Sequence, residues 1–152
     1  MLGLLVGREE AESQFLVVPF LPQQATPMGN APDDEATVAR RFKWALRMIA
    51  VTRLTLRDVN IASTTALQAL DPASGREKGL LAGANVIMPN VGDVVYRRDY
   101  QLYNGKPALD ENGEKIRHQL LESLRKIGEY PRWDSSGDPP HFVKRTTGNE
   151  TI

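Results

Sequence analysis

Three hydroxyl side chains in succession, Ser63, Thr64 and Thr65, interrupt an otherwise apolar run in "NIASTTALQAL", residues 60–70. A hydroxyl buried without a partner costs on the order of 1–3 kcal/mol. These three therefore face water, bond to the backbone or meet a ligand. A threonine pair in a strand-to-helix loop can equally cap the helix or bond its own backbone, and the residue types alone leave the choice open. Tyr96, Tyr100 and Tyr103 are spaced four and three apart, which puts three rings on one side of a short helix. Such a stripe serves as a docking face or as a platform for a cofactor. The neighbouring Arg97 and Arg98 are solvated or hold a carboxylate or phosphate. Met88 is by default flexible core filler.

Other chemistries are excluded. The chain has no cysteine, so it holds no disulfide, thiolate nucleophile, or cysteine-ligated zinc or iron–sulfur centre of its own. His118 and His141 are too far apart for a recognisable metal-ligand spacing. No nucleophile with a base partner, phosphate-cradling glycine loop or pair of carboxylates in a pocket is evident.

The elements that must position these residues follow from apolar patterning. Runs at Leu2–Val6, Phe15–Phe20, Val59–Ala62 and Ala84–Met88 lack polar alternation, as expected of parallel strands covered on both faces. Val38, Phe42, Ala45 and Ile49 predict a helix over residues 33–54, with Pro32 before it and two aspartates in its first turn. "SGREKGLLAG" predicts a shorter helix with a Ser74–Glu77 capping box and Gly83 as its stop. Ile116, Leu120, Leu124 and Ile127 predict a helix over 112–127, ended by Gly128 and Pro131. Strand, helix and strand at these lengths make an α/β protein with a parallel sheet. The crossover between the first two runs is too short for a parallel connection, so either they are not parallel neighbours or a helix is missing.

The chain has 152 residues, 41% hydrophobic and 25% charged, a composition that suits one globular core. We expect one domain over residues 1–131 and a polar tail over 132–152, poorly ordered or draped over the surface. Nineteen basic residues balance nineteen acidic ones, which argues against nucleic acid or a membrane as partner. The opening "MLGLLVGREE" is too short for a signal-peptide core and no run approaches a membrane span, so a cytoplasmic location is expected.

Three segments together, "PFLPQQATPMG", "NIASTTALQALDPASGREKGLLAGANVIMPN" and "YRRDYQLYNGK", resemble the C-terminal half of radical SAM enzymes of the biotin synthase superfamily. The resemblance is nearest to the HydE-type FeFe-hydrogenase maturase branch, with methylornithine synthase more distant. It implies a partial TIM-type (βα) barrel, roughly the last four βα units, followed by a C-terminal helix and the polar tail. It implies S-adenosyl-L-methionine (SAM) and a 4Fe-4S cluster as the family's cofactors. Thr64 and Thr65 match a threonine pair that hydrogen-bonds the carboxylate of a small substrate, two hydroxyl donors meeting two oxygens. Met88 matches a pocket-lining methionine. Tyr100 and Tyr103 match tyrosines at the SAM end of the cavity. Gly3, Leu5, Gly7 and Glu10 fit the family's fifth-strand motif beside the adenine, and Phe20 and Leu21 its sixth-strand position.

The chain also departs from the family. The three-cysteine motif that holds the cluster belongs to an N-terminal half absent from this sequence. Ala108, Ile116 and Gln119 stand where some maturases place cysteines for a second cluster. The resemblance therefore implies a SAM- and substrate-positioning portion, inactive alone, partnered by a cluster-bearing half. The alternative is a non-catalytic half-barrel that binds a small carboxylate or a protein partner. Exposed sheet edges would favour self-association and marginal stability.

Overall fold

The computed structural model describes residues 2–5, 14–23, 26–30, 33–89, 95 and 113–147. The tyrosine stripe, Arg97, Arg98, Gly7, Glu10 and Ala108 lie outside the described residues.

Four strands form one sheet in sequence order: β1 (Leu2–Leu5), β2 (Gln14–Pro19), β3 (Asn60–Ser63) and β4 (Val86–Ile87). β2, β3 and β4 are parallel, with Leu16 opposite Ala62, Ala62 opposite Val86, and Ser63 opposite Ile87. The expectation of an α/β protein with a parallel sheet holds for these three. For the first run the alternative left open by the short crossover holds: it is not a parallel neighbour, since β1 is antiparallel to β2, Leu2 pairing with Pro19 and Leu5 with Leu16. The physical reason is the short connection, which can return a strand antiparallel but cannot carry a helical crossover.

Helix α1 (Glu35–Thr55) makes the crossover from β2 to β3. Asp34 caps it by accepting from the Thr37 amide at 2.7 Å. Asp33 fixes its first turns through an ion pair to Arg41 at 2.6 Å. Its inner stripe of Ala45 and Ile49 packs on Val17, Val59, Ile61, Leu67 and Ala84 to form the core.

Two short helices, α2 (Thr65–Leu70) and α3 (Gly75–Leu81), connect β3 to β4. The predicted Ser74–Glu77 capping box does not form. Ser74 instead donates its hydroxyl to Asp71 at 3.0 Å, and Asp71 also takes Lys78 at 2.6 Å. Those bonds hold the Asp71 carboxyl below the usual range, the Lys78 contact contributing most. Asp71 takes both groups that the box would use: the Ser74 amide donates to Asp71 Oδ1 at 3.2 Å, in place of the Glu77 carboxylate, and the Ser74 hydroxyl is turned to Asp71 instead of to the helix end. Gly83 ends this segment at φ +118°, packed against Arg53, where only glycine is unstrained.

At the amino ends of β3 and β4, Arg53 donates to the carbonyls of Gly83, Arg57 and Val59 and to Asn85 Oδ1, each at 2.8 Å. Asn85 in turn accepts from the Ile61 amide and donates to Asn60, both at 2.8 Å. Asn60 passes the chain of bonds to the Gly137 carbonyl at 2.8 Å. Helix α4 (Gly113–Lys126) buries Ile116 and Leu124. A last short helix, α5 (Pro140–Thr146), is tied back to Asp58 by the His141 amide at 3.1 Å and by Lys144 Nζ at 3.0 Å.

Candidate functional site

The three hydroxyls separate at the end of β3. Ser63 is 1% exposed and donates to the Arg76 carbonyl of α3 at 2.9 Å. That bond places Ser63 on the helix-covered face of the sheet. The contact is close enough that a Cβ on Gly79 would lie 2.4 Å from Ser63 Oγ, so the glycine is what admits the hydroxyl.

Thr64 follows in extended conformation, φ −83° and ψ 159°. Side chains alternate along extended backbone, so Thr64 projects to the opposite face from Ser63. It is 6% exposed, and its Oγ1 is buried with no hydrogen-bond partner among the described residues. It stands at the N-cap position of α2 without making a side-chain cap bond. Both ordinary structural uses of a loop threonine are thus unrealised, and a hydroxyl is held where its desolvation costs about 1–3 kcal/mol. Thr65 opens α2 and is half-buried.

Met88 succeeds Ile87 just as Thr64 succeeds Ser63, and Ser63 and Ile87 are register partners. The two residues therefore lie side by side at the carboxyl edge of adjacent parallel strands. In parallel α/β sheets this is the end at which ligand sites form. Met88 is 49% exposed, so this edge is open beside the buried threonine. Phe20 and Leu21 follow β2 at the same end, both half-buried, and the Arg41 guanidinium lies 5.5 Å from the Phe20 ring centre. Gly3 is paired with Val18, near this end, while Leu5 is paired with Leu16, so β1 runs away from the site. Of the eight residues matched to the SAM side, Gly7, Glu10, Tyr100 and Tyr103 are outside the described residues.

Sequence reasoning missed Gln23. It lies in the loop after β2, and its Oε1 is another buried acceptor without a partner among the described residues. The same loop turns tightly, with Thr26 donating to the Gln23 carbonyl at 2.7 Å. The signal was present in "PFLPQQATPMG", where two glutamines sit between prolines at the end of an apolar run.

A separate cavity of about 110 Å³ lies on the helix side of the sheet, lined among others by Gln68, Arg76, Ile87, Ile116 and Gln119. Neither Thr64, Thr65 nor Met88 lines it. Ile116 and Gln119, the positions matched to second-cluster cysteines, bring an aliphatic and an amide group to its wall. Among the described residues no group of three or more His, Cys, Asp or Glu is placed to hold a metal ion. No described helix is long and apolar enough to cross a membrane.

No family model matches the chain. Over 134 residues, 88% of its length, it is 38% identical to the FeFe hydrogenase maturase subunit HydE of Thermotoga maritima. It spans 36% of that protein's length. The resemblance drawn from its segments is thereby borne out: over those 134 residues the chain is similar to a HydE-type hydrogenase maturase.

Proposed function

We propose that the chain is the SAM- and substrate-positioning portion of a radical SAM enzyme of the maturase type, part of a TIM-type barrel. The observation that carries this reading is Thr64: a buried, unpartnered hydroxyl at the carboxyl end of a parallel strand, in a chain 38% identical to HydE. A substrate carboxylate would supply the missing acceptor for Thr64, with Thr65 as the second hydroxyl and Met88 as apolar wall.

In that family a 4Fe-4S cluster supplies reductive cleavage of SAM. The donor set of this chain does not fit the cluster, since it has no cysteine and the described residues bring together no group of three or more His, Asp or Glu. The cluster would therefore be held by cysteines outside this sequence, and these residues alone would be inactive. Its own residues would orient the substrate and exclude water around the carboxylate.

The test has two arms. Calorimetry with SAM, methionine and small amino acids should show carboxylate binding that Thr64→Val weakens about tenfold, the equivalent of one hydrogen bond to a charged group. Anaerobic co-expression with a three-cysteine half should then give an iron-loaded complex that cleaves SAM. Carboxylate binding that ignores Thr64→Val would defeat the site assignment. Binding without SAM cleavage in the assembled complex would favour a non-catalytic half-barrel, the reading that the lack of cysteine also suits.

A further inference from the structure

Helix α1 carries two stripes of identical spacing. Val38, Phe42, Ala45, Ile49 and Thr52 recur at intervals of four, three, four and three, and this stripe packs on the sheet with Ala45 and Ile49 fully buried. Arg40, Trp44, Arg47, Val51 and Leu54 recur at the same intervals on the outer side. Trp44, Val51 and Leu54 there are 52%, 54% and 76% exposed. A helix whose only duty is to cover a sheet has a polar outer face. This one instead presents a second seam with the spacing by which one helix packs against another.

Charge identifies the occupant. Arg40 and Arg47 interleave with the apolar residues, and exposed Lys43 flanks them. Among the described residues the ion pairs take Arg41, Lys78, His118, His141 and Lys144, and none reaches Lys43 or Arg47. The Arg47 guanidinium lies 5.3 Å from the Trp44 ring centre, so one cation and the largest apolar group form a single flat surface.

We infer that this outer stripe of α1 docks an acidic amphipathic helix of a partner protein. Two copies of the chain meeting through the stripe would set arginine and lysine against arginine and lysine, which is unfavourable. A bilayer surface is a poorer match, because the stripe is one seam wide and α1 already commits its opposite face to the core.

The experiment uses the full chain with Trp133→Phe, which leaves Trp44 as the single indole. The probes are two synthetic helices of about three heptads with leucine at the seam, flanked by glutamate in one and by lysine in the other. The glutamate helix should blue-shift Trp44 emission and bind at least about tenfold more tightly than the lysine helix, an advantage that salt erodes. Val51→Lys should abolish the shift with the circular dichroism unchanged. Arg40→Glu with Arg47→Glu should reverse the preference toward the lysine helix, a rescue that loss of folding cannot mimic. Equal binding of both helices, no response to either, a Trp44 signal that follows dilution of the chain alone, or adsorption to phosphatidylglycerol vesicles in place of the helix would each overturn the inference.

Discussion

The two ends of β3 treat polar groups in opposite ways. At the amino end Arg53, Asn85 and Asn60 form one connected set of bonds at 2.8 Å. At the carboxyl end Thr64 is buried with a hydroxyl that has no partner among the described residues, and the loop after the neighbouring strand buries the Gln23 carboxamide oxygen in the same condition. A satisfied network fixes structure, whereas a buried orphan is a cost that folding alone does not recover. The amino end therefore reads as a brace, and the carboxyl end is where we propose a ligand site. Removing the Arg53 side chain and removing the Thr64 hydroxyl should therefore change stability with opposite signs.

The largest effect is expected at the brace. Arg53→Ala removes four donated bonds and strands the carbonyls of Gly83 and Val59 between strands. It should lower the unfolding free energy by about 3 kcal/mol, read as a lower urea midpoint at unchanged slope. A change below about 1 kcal/mol would mean that water replaces the guanidinium and that the amino end is no brace.

Next comes the residue that lets Ser63 stay satisfied. Gly79→Ala would force a methyl to 2.4 Å from Ser63 Oγ and should cost about 2 kcal/mol by overpacking. Ser63→Ala in the same chain should recover part of that loss, because it removes the atom that is struck. Failure of this rescue would place the strain elsewhere in the α3–β3 contact.

Thr64→Val sharpens the comparison most, since its sign is reversed. With the orphan hydroxyl gone, thermal unfolding of the ligand-free chain should report a gain of about 1 kcal/mol, together with the weaker carboxylate binding proposed above. Destabilisation instead would show that Thr64 Oγ1 has a structural partner and that the two ends of β3 are alike.

Much of this arrangement was legible in the residues. The periodicity of Val38, Phe42, Ala45 and Ile49 located α1, and the glycine at 83 located the turn before β4. The serine–threonine run marked the carboxyl edge, and the match to HydE is written in the same segments. What could not be read were long-range partners. Arg53 looks like one more solvated cation in "VTRLTLRD", and only folding brings residues 83 and 85 to it. The direction of β1 depended on pairing with β2, which an apolar run does not specify. The outer stripe of α1 was hidden because an inner stripe of the same period lies in the same residues.

The tail adds the smallest term, and it belongs to the amino end. Lys144 donates to the Asp58 carboxylate at 3.0 Å, and this bond, more than the nearby His141, holds the Asp58 carboxyl below its usual range. A lowered value in the folded state means that the unfolded chain binds the proton more readily. The contribution is thus complete above the unfolded carboxylate's value of about 3.9 and fades as pH falls through the folded one. Both side chains are substantially exposed, so Lys144→Met should cost no more than about 0.5 kcal/mol at neutral pH. The gap between the two proteins should close below about pH 4 and in molar salt. A gap that persists in acid would assign the tail's hold on β3 to the His141 amide and the Asn60–Gly137 bond, neither of which depends on the Asp58 carboxylate.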